Sequence, residues 1–250
     1  MRTIWRLRQP DGCPWDKVQT HESITSNMVE EGYEAVEAIR DHDRAHLLEE
    51  LGDVLEQILL HAQIDADDGG FDIDDVCRGL NEKLVRRHPH IFGDVEAVDS
   101  AGEVLDIWDD VKKQERADGY EPAGLLDSIP RSFPALMQCQ KISKRAAKAG
   151  FEWDTVEDVW DQFESEREEF SAEEPGSDER AMEFGDMLFA LVNVARHEGI
   201  DAEAALAASN AKFRRRWAAM ERIAADEGRD LDSYTTPAMN DLWREVKAAE

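Results

Sequence analysis

Two stretches of this chain carry the same acidic pattern, and both are written in helical spacing. Glu31-x-x-Glu34 is followed by Glu50-Leu51-Gly52-Asp53, and Glu166-x-x-Glu169 is followed by Glu183-Phe184-Gly185-Asp186. At i, i+3 both carboxylates of a pair leave one face of a helix. Two such helices set face to face would gather four carboxylates around one small volume. That is costly unless a cation neutralises them. An all-oxygen donor set suits a hard divalent ion, Mg²⁺ or Mn²⁺. A di-iron bundle would want His at the i+3 positions, which here hold Glu or Asp.

The repetition extends past the acids. Gly70-Phe71-Asp72 precedes Asn81-Glu82-Lys83-Leu84-x-Arg86-Arg87, and Gly199-Ile200-Asp201 precedes Asn210-Ala211-Lys212-Phe213-x-Arg215-Arg216, with the same Gly-to-Lys spacing. A shared spacing outside the acidic motif predicts duplicated domains. Most segments read as amphipathic helices and none as a convincing period-2 strand, so the expected fold is all-α. Thr20 is expected to cap a helix over 21–40, Asp43 one through 66, Asp72 one through 87, and Ser100 with Glu103 one ending near Gly119. Later helices are expected at 133–149, 154–171, 178–198, 202–227 and 237–249. Gly150, Gly199 and Gly228 fall at their ends, and Pro237 in the first turn of the last. The expected division is a first domain over 1–119, a linker over 120–131 and a second domain over 132–250.

Charge narrows the partners. The chain holds 57 acidic against 29 basic residues, a formal charge of −28, which argues against nucleic-acid or anionic-membrane binding. No apolar run approaches the ~20 residues of a membrane span, and residues 1–9 hold no signal-peptide core. Cys13, Cys77 and Cys139 lie far apart without a CxxC motif, as expected of reduced thiols in a cytoplasmic protein.

Leu47, Leu48, Leu51, Val54, Leu55, Ile58 and Leu59 surround Glu50 and Asp53, and Met182, Phe184, Met187, Leu188, Phe189, Leu191 and Val192 surround Glu183 and Asp186. A helix apolar nearly all round is expected to be buried, where its carboxylates need a cation or a partner. Lys83 with Arg87, and Lys212 with Arg216, share a helix face at i, i+4. They suit a polyphosphate whose charge the metal leaves uncovered; salt bridges to the excess acid would use them equally well. His61, inside the second helix, reads as a satisfied core histidine.

Several longer motifs carry a family resemblance. Gly12-Cys13-Pro14-Trp15-Asp16-Lys17-Val18-Gln19-Thr20, the Glu30-Glu31-x-x-Glu34 to Glu50-x-x-Asp53 pattern, Arg86-Arg87-His88-Pro89-His90-Ile91-Phe92, Asp127-Ser128-Ile129-Pro130-Arg131 and Gly185-Asp186-Met187-Leu188-Phe189 occur in that order. Together they resemble MazG-type nucleoside triphosphate pyrophosphohydrolases over essentially the whole chain. The resemblance implies two tandem MazG-like helical-bundle repeats, an intertwined homodimer, and Mg²⁺-dependent hydrolysis of NTP to NMP and pyrophosphate. It implies metal ligands at Glu31, Glu34, Glu50 and Asp53, and at Glu166, Glu169, Glu183 and Asp186, with catalysis at the second set. Lys212 and Arg216 match triphosphate-binding positions and Trp243 a base-side tryptophan; Lys83 and Arg87 are the first-repeat counterparts of the cations. The second repeat departs from the pattern at Ser165 and Met182, where acids are expected, and at Gln162 and Glu179, where lysines are. The first keeps Glu30 and Glu49. The competing reading is a non-catalytic nucleotide-binding or regulatory helical module.

Overall fold

The computed structural model describes residues 2–93, 100–117 and 124–250. Among them are eleven α-helices and no strand. They are α1 Arg2–Arg8, α2 Thr25–Arg40, α3 Arg44–Asp67, α4 Ile73–Arg87, α5 Pro89–Phe92, α6 Ala101–Ala117, α7 Ala135–Lys148, α8 Val156–Ala172, α9 Asp178–His197, α10 Ala202–Asp226 and α11 Thr236–Ala248. The chain divides into two compact units, residues 1–117 and 118–250. Of the expected linker, residues 120–123 lie outside the described residues, as does Gly119.

Side-chain caps set most helix starts. The Asp43 carboxylate accepts the backbone N–H groups of Ala45 and His46 at 3.0 and 3.1 Å. Asp72 with Asp75, and Thr155 with Asp158, form reciprocal capping boxes. Gly150 and Gly199, at φ +93° and +70°, take the left-handed position that ends α7 and α9. The first expected start is displaced. Residues 21–24 are turns and α2 begins at Thr25. Thr20 and Ser23 spend their side chains on each other's backbone N–H, and the Ser23 hydroxyl also donates to Gln19. Such local bonds compete with helix formation. The stretch after α4, expected only to stop it, contains the single turn α5.

In the first unit α2 and α3 form an antiparallel hairpin across residues 41–43, where His42 sits at φ 56°. Ile4 of α1, Ile24, and Leu60 and Ile64 of α3 build the apolar cluster beneath it. Arg8 clamps this arrangement. Its Nε donates to Asp67 at 2.6 Å, and its Nη1 to the carbonyls of Asp16 and Gln19 at 2.6 and 3.2 Å. His61 pairs with His21, Nδ1 to Nδ1 at 2.8 Å, the rings stacked 5.1 Å apart. Its other nitrogen, Nε2, is sealed from solvent without a partner, so the histidine is only half satisfied.

In the second unit α8 and α9 form the corresponding hairpin, and α7 packs on α9. The Gln140 side chain of α7 donates to the Ile200 carbonyl at 2.7 Å and accepts from the Ala202 N–H at 2.9 Å, tying α7 to the start of α10. Met220, Ala224, Leu231, Leu242 and Val246 join α10 to α11.

The expectation that the acid-bearing helices are buried all round does not hold. Leu48 is 76% exposed, and Leu51 and Leu55 are also exposed. On α9 Met182 is 69% exposed, with Phe184 and Leu188 exposed as well. Each unit covers one flank of its hairpin and leaves the other open. Helix α4 has no buried residue at all.

Candidate functional site

Each hairpin brings its acidic motifs to one level. Glu31 lies about two and a half turns before the end of α2, and Glu50 and Asp53 lie about two turns into α3. A three-residue connection then sets them opposite one another. One carboxylate oxygen each from Glu31, Glu50 and Asp53 lie within 4.8 Å of one another, and the same holds for Glu166, Glu183 and Asp186. Glu34 and Glu169, the fourth expected members, stand outside these sets of three and face solvent. Both still act on their neighbours electrostatically. Burial, then the charges of Asp53, Glu34 and Glu50, push the Glu31 carboxyl up from its ordinary pKa. Burial, then Glu34, does the same to Glu50. Glu183 is raised by burial, then by Glu169, Asp186 and Glu166.

Glu50 is the most enclosed member, at 5% exposure. Its Oε1 lies 2.8 Å from His46 Nε2. Its Oε2 is closed off from solvent and receives no hydrogen bond. An orphaned buried carboxylate oxygen among like charges is a poor arrangement for the acids alone and a good one around a cation. The donors are all oxygen apart from the adjacent imidazole, so the residues present fit a hard divalent ion. In the second unit Gln162 donates its amide to Glu166 Oε1 at 2.6 Å. Sequence reading gave Gln162 only as a missing lysine and passed over His46. The signal for both was i, i+4 spacing to a ligand carboxylate.

The two arginines among the expected phosphate-binding cations are engaged elsewhere. Arg87 donates to Glu115 of α6, its Nη2 at 2.6 Å, and Arg86 donates to the same carboxylate at 2.7 Å. Arg216 donates to Glu250, Nε at 2.9 Å and Nη2 at 2.6 Å. Its guanidinium also lies over the Trp243 ring, 5.4 Å from the centroid, and Trp243 packs against Phe213 at 5.0 Å. Lys212 sits one turn before Arg216 on α10 and adds to the positive field at Glu250. Neither Glu115 nor Glu250 could be found by pattern, because each pairs with a residue far away in sequence.

No described helix is long and apolar enough to cross a membrane. The profile of the MazG nucleotide pyrophosphohydrolase domain matches residues 19–92, the stretch that holds α2 to α5. An uncharacterized protein of Bacillus subtilis, YabN, is 50% identical over 250 residues, covering 99% of this chain, which spans 50% of that longer protein. The nucleoside triphosphate pyrophosphohydrolase of Escherichia coli K12 is 44% identical over 98% of this chain and 94% of its own length. The nucleoside triphosphate pyrophosphohydrolase/pyrophosphatase MazG of Thermotoga maritima is 39% identical over 98% and 93%. Similarity of that extent, with the paired acidic hairpins in the structure, means that the chain belongs to the MazG nucleotide pyrophosphohydrolase family.

Proposed function

We propose that the protein is a divalent-metal-dependent nucleoside triphosphate pyrophosphohydrolase that cleaves NTP to NMP and pyrophosphate. The observation that carries this reading is the gathering of three carboxylates on each hairpin, where in the first unit the buried Glu50 keeps an oxygen that nothing in the fold satisfies. Glu31, Glu34, Glu50 and Asp53 would hold Mg²⁺ in the first unit, and Glu166, Glu169, Glu183 and Asp186 in the second. When bound, the ion supplies charge neutralisation for the phosphate oxygens and acidity to a nearby water. Lys212 and Arg216 hold the triphosphate, and Trp243 the base. The water oxygen bonds to the α-phosphorus as the α–β bridge breaks and pyrophosphate leaves, and the water's proton passes to Glu169, a carboxylate outside the set of three. Catalysis belongs to the second unit, whose Lys212, Arg216 and Trp243 stand together on α10 and α11.

The exposed apolar flanks of α3 and α9 support assembly as a homodimer, since contiguous apolar faces of this kind need cover. The net charge of −28 and the free thiols support a cytoplasmic protein that takes free nucleotides and not nucleic acid.

The test is product analysis with Mg²⁺ and then with EDTA. NMP and pyrophosphate in equal amounts, lost in EDTA and restored by metal, are the expected result. NDP and phosphate would refute the bond assignment. Nucleotide binding without any cleavage would mark a sensor instead.

A further inference from the structure

The two units set a carboxylate against the arginine at the same place in the repeat, but they hold it differently. Arg87 and Arg216 stand at the same distance after the Gly-Phe-Asp and Gly-Ile-Asp turns. In the first unit Glu115 projects from within α6 and is 3% exposed. Two arginines grip it: Arg86 Nε at 2.7 Å, Arg87 Nη2 at 2.6 Å and Arg87 Nε at 3.2 Å. A buried carboxylate held this way cannot leave without stranding charge. In the second unit Glu250 lies two residues beyond the last turn of α11, and its side chain is 39% exposed. Both bonds from Arg216 land on one oxygen, Oε2. The Arg216 hydrogen bonds, then the charges of Arg216, Arg215 and Lys212, hold its carboxyl below the ordinary range. Glu250 thus sits as an anion bonded to Arg216, whose guanidinium lies over Trp243.

We infer that Glu250 is a displaceable placeholder for a substrate phosphate, holding the Arg216 guanidinium over Trp243 until a phosphate oxygen takes its place, whereas Glu115 fixes Arg87 permanently. The exchange keeps the fork geometry, since a guanidinium binds carboxylate and phosphate oxygens alike. Glu250 is therefore a positioning residue that tunes substrate affinity, and the first unit's equivalent position is closed to phosphate. This inference rests on the reading that Arg216 binds the triphosphate.

The experiment compares wild type, Glu250→Gln, Arg216→Gln and Glu115→Gln, all full length. KM and kcat for NTP cleavage are measured, together with the Kd of an α,β-methylene NTP, which cannot be cut at that bond. Glu250→Gln should lower KM and Kd about two- to fivefold, the competitive strength of one partly exposed ion pair. Its kcat should stay within about twofold. Arg216→Gln should raise both constants at least about tenfold. Glu115→Gln should lower the unfolding temperature and leave KM unchanged. If Arg216→Gln weakens binding but Glu250→Gln leaves it unchanged or weakens it too, Glu250 is a strut or a bystander and the inference is overturned. If Arg216→Gln changes neither KM nor Kd, the underlying assignment of Arg216 falls, and the placeholder with it.

Discussion

Gln162 holds Glu166: its side-chain amide donates to Oε1 of that carboxylate at 2.6 Å, one turn earlier on the same helix. The bond fixes the rotamer of an acid that must otherwise share a small space with Glu183 and Asp186. Donors behind a metal-binding carboxylate set its orientation.

Gln162→Ala should raise the Mg²⁺ concentration for half-maximal pyrophosphate release about tenfold, with the rate at saturating metal little changed. A Mg²⁺ titration of turnover, paired with calorimetric Mn²⁺ binding, measures it. An unchanged midpoint would show that Glu166 needs no support.

Removing Glu183 and Asp186 together, as Glu183→Gln with Asp186→Asn, should abolish turnover while the protein stays folded, because losing mutually repelling acids relieves strain. Glu50→Gln with Asp53→Asn should leave most of the rate. The reverse outcome would move catalysis to the first unit, and half the rate in each would put it in both.

The His21–His61 pair gives the first unit a pH dependence. Burial, then the His21 charge, lowers the His61 pKa from 6.5. Asp65 faces His21 Nε2 at 3.7 Å but lies on the far ring. A folded-state pKa below the unfolded one means that the unfolded chain takes the proton more readily. The stabilising contribution is whole above pH 6.5 and is lost as pH falls from there through the folded value. Thermal unfolding across this window should show stability dropping on acidification in wild type. A flatter profile is expected in His61→Phe, and identical profiles would remove the pair as the cause.

Leu55→Asp should weaken self-association. Burying a leucine stabilises by about 1.5–3 kcal/mol, so a charge on the exposed flank of α3 should raise the dimer dissociation constant at least about tenfold. Light scattering across a dilution series reads this directly. A wild type that is monomeric at every concentration would end the dimer reading.

Local features were the legible ones. Asp43 and Asp72 lie just ahead of their helices, and a cap acts within one turn, so their roles could be read from spacing alone. The Glu50–Asp53 and Glu183–Asp186 pairs were legible for a related reason, since i, i+3 spacing places side chains on a face without knowledge of the fold, whereas Glu34 and Glu169, at that same spacing from Glu31 and Glu166, stand outside the sets of three. Thr20 failed because Ser23 and Gln19 offered its segment a rival set of short-range bonds. The exposed flanks failed because hydropathy reports that a helix wants cover without saying whether its own chain supplies it. The engagement of Arg87 by Glu115 and of Arg216 by Glu250 was invisible, because nothing in the chain between them encodes the closure.

The Arg8 clamp has a practical consequence for anyone trimming this protein. One guanidinium fastens the end of α1 to Asp67, at the end of α3, and to the carbonyls of Asp16 and Gln19 in the intervening loop. Removing the first eight residues deletes the fastener along with Ile4. That unbuttons the segment from Pro10 to Gln19 and opens a flank of Leu60 and Ile64. A shortened version would remain helical by circular dichroism and yet become a substrate for proteases within that segment.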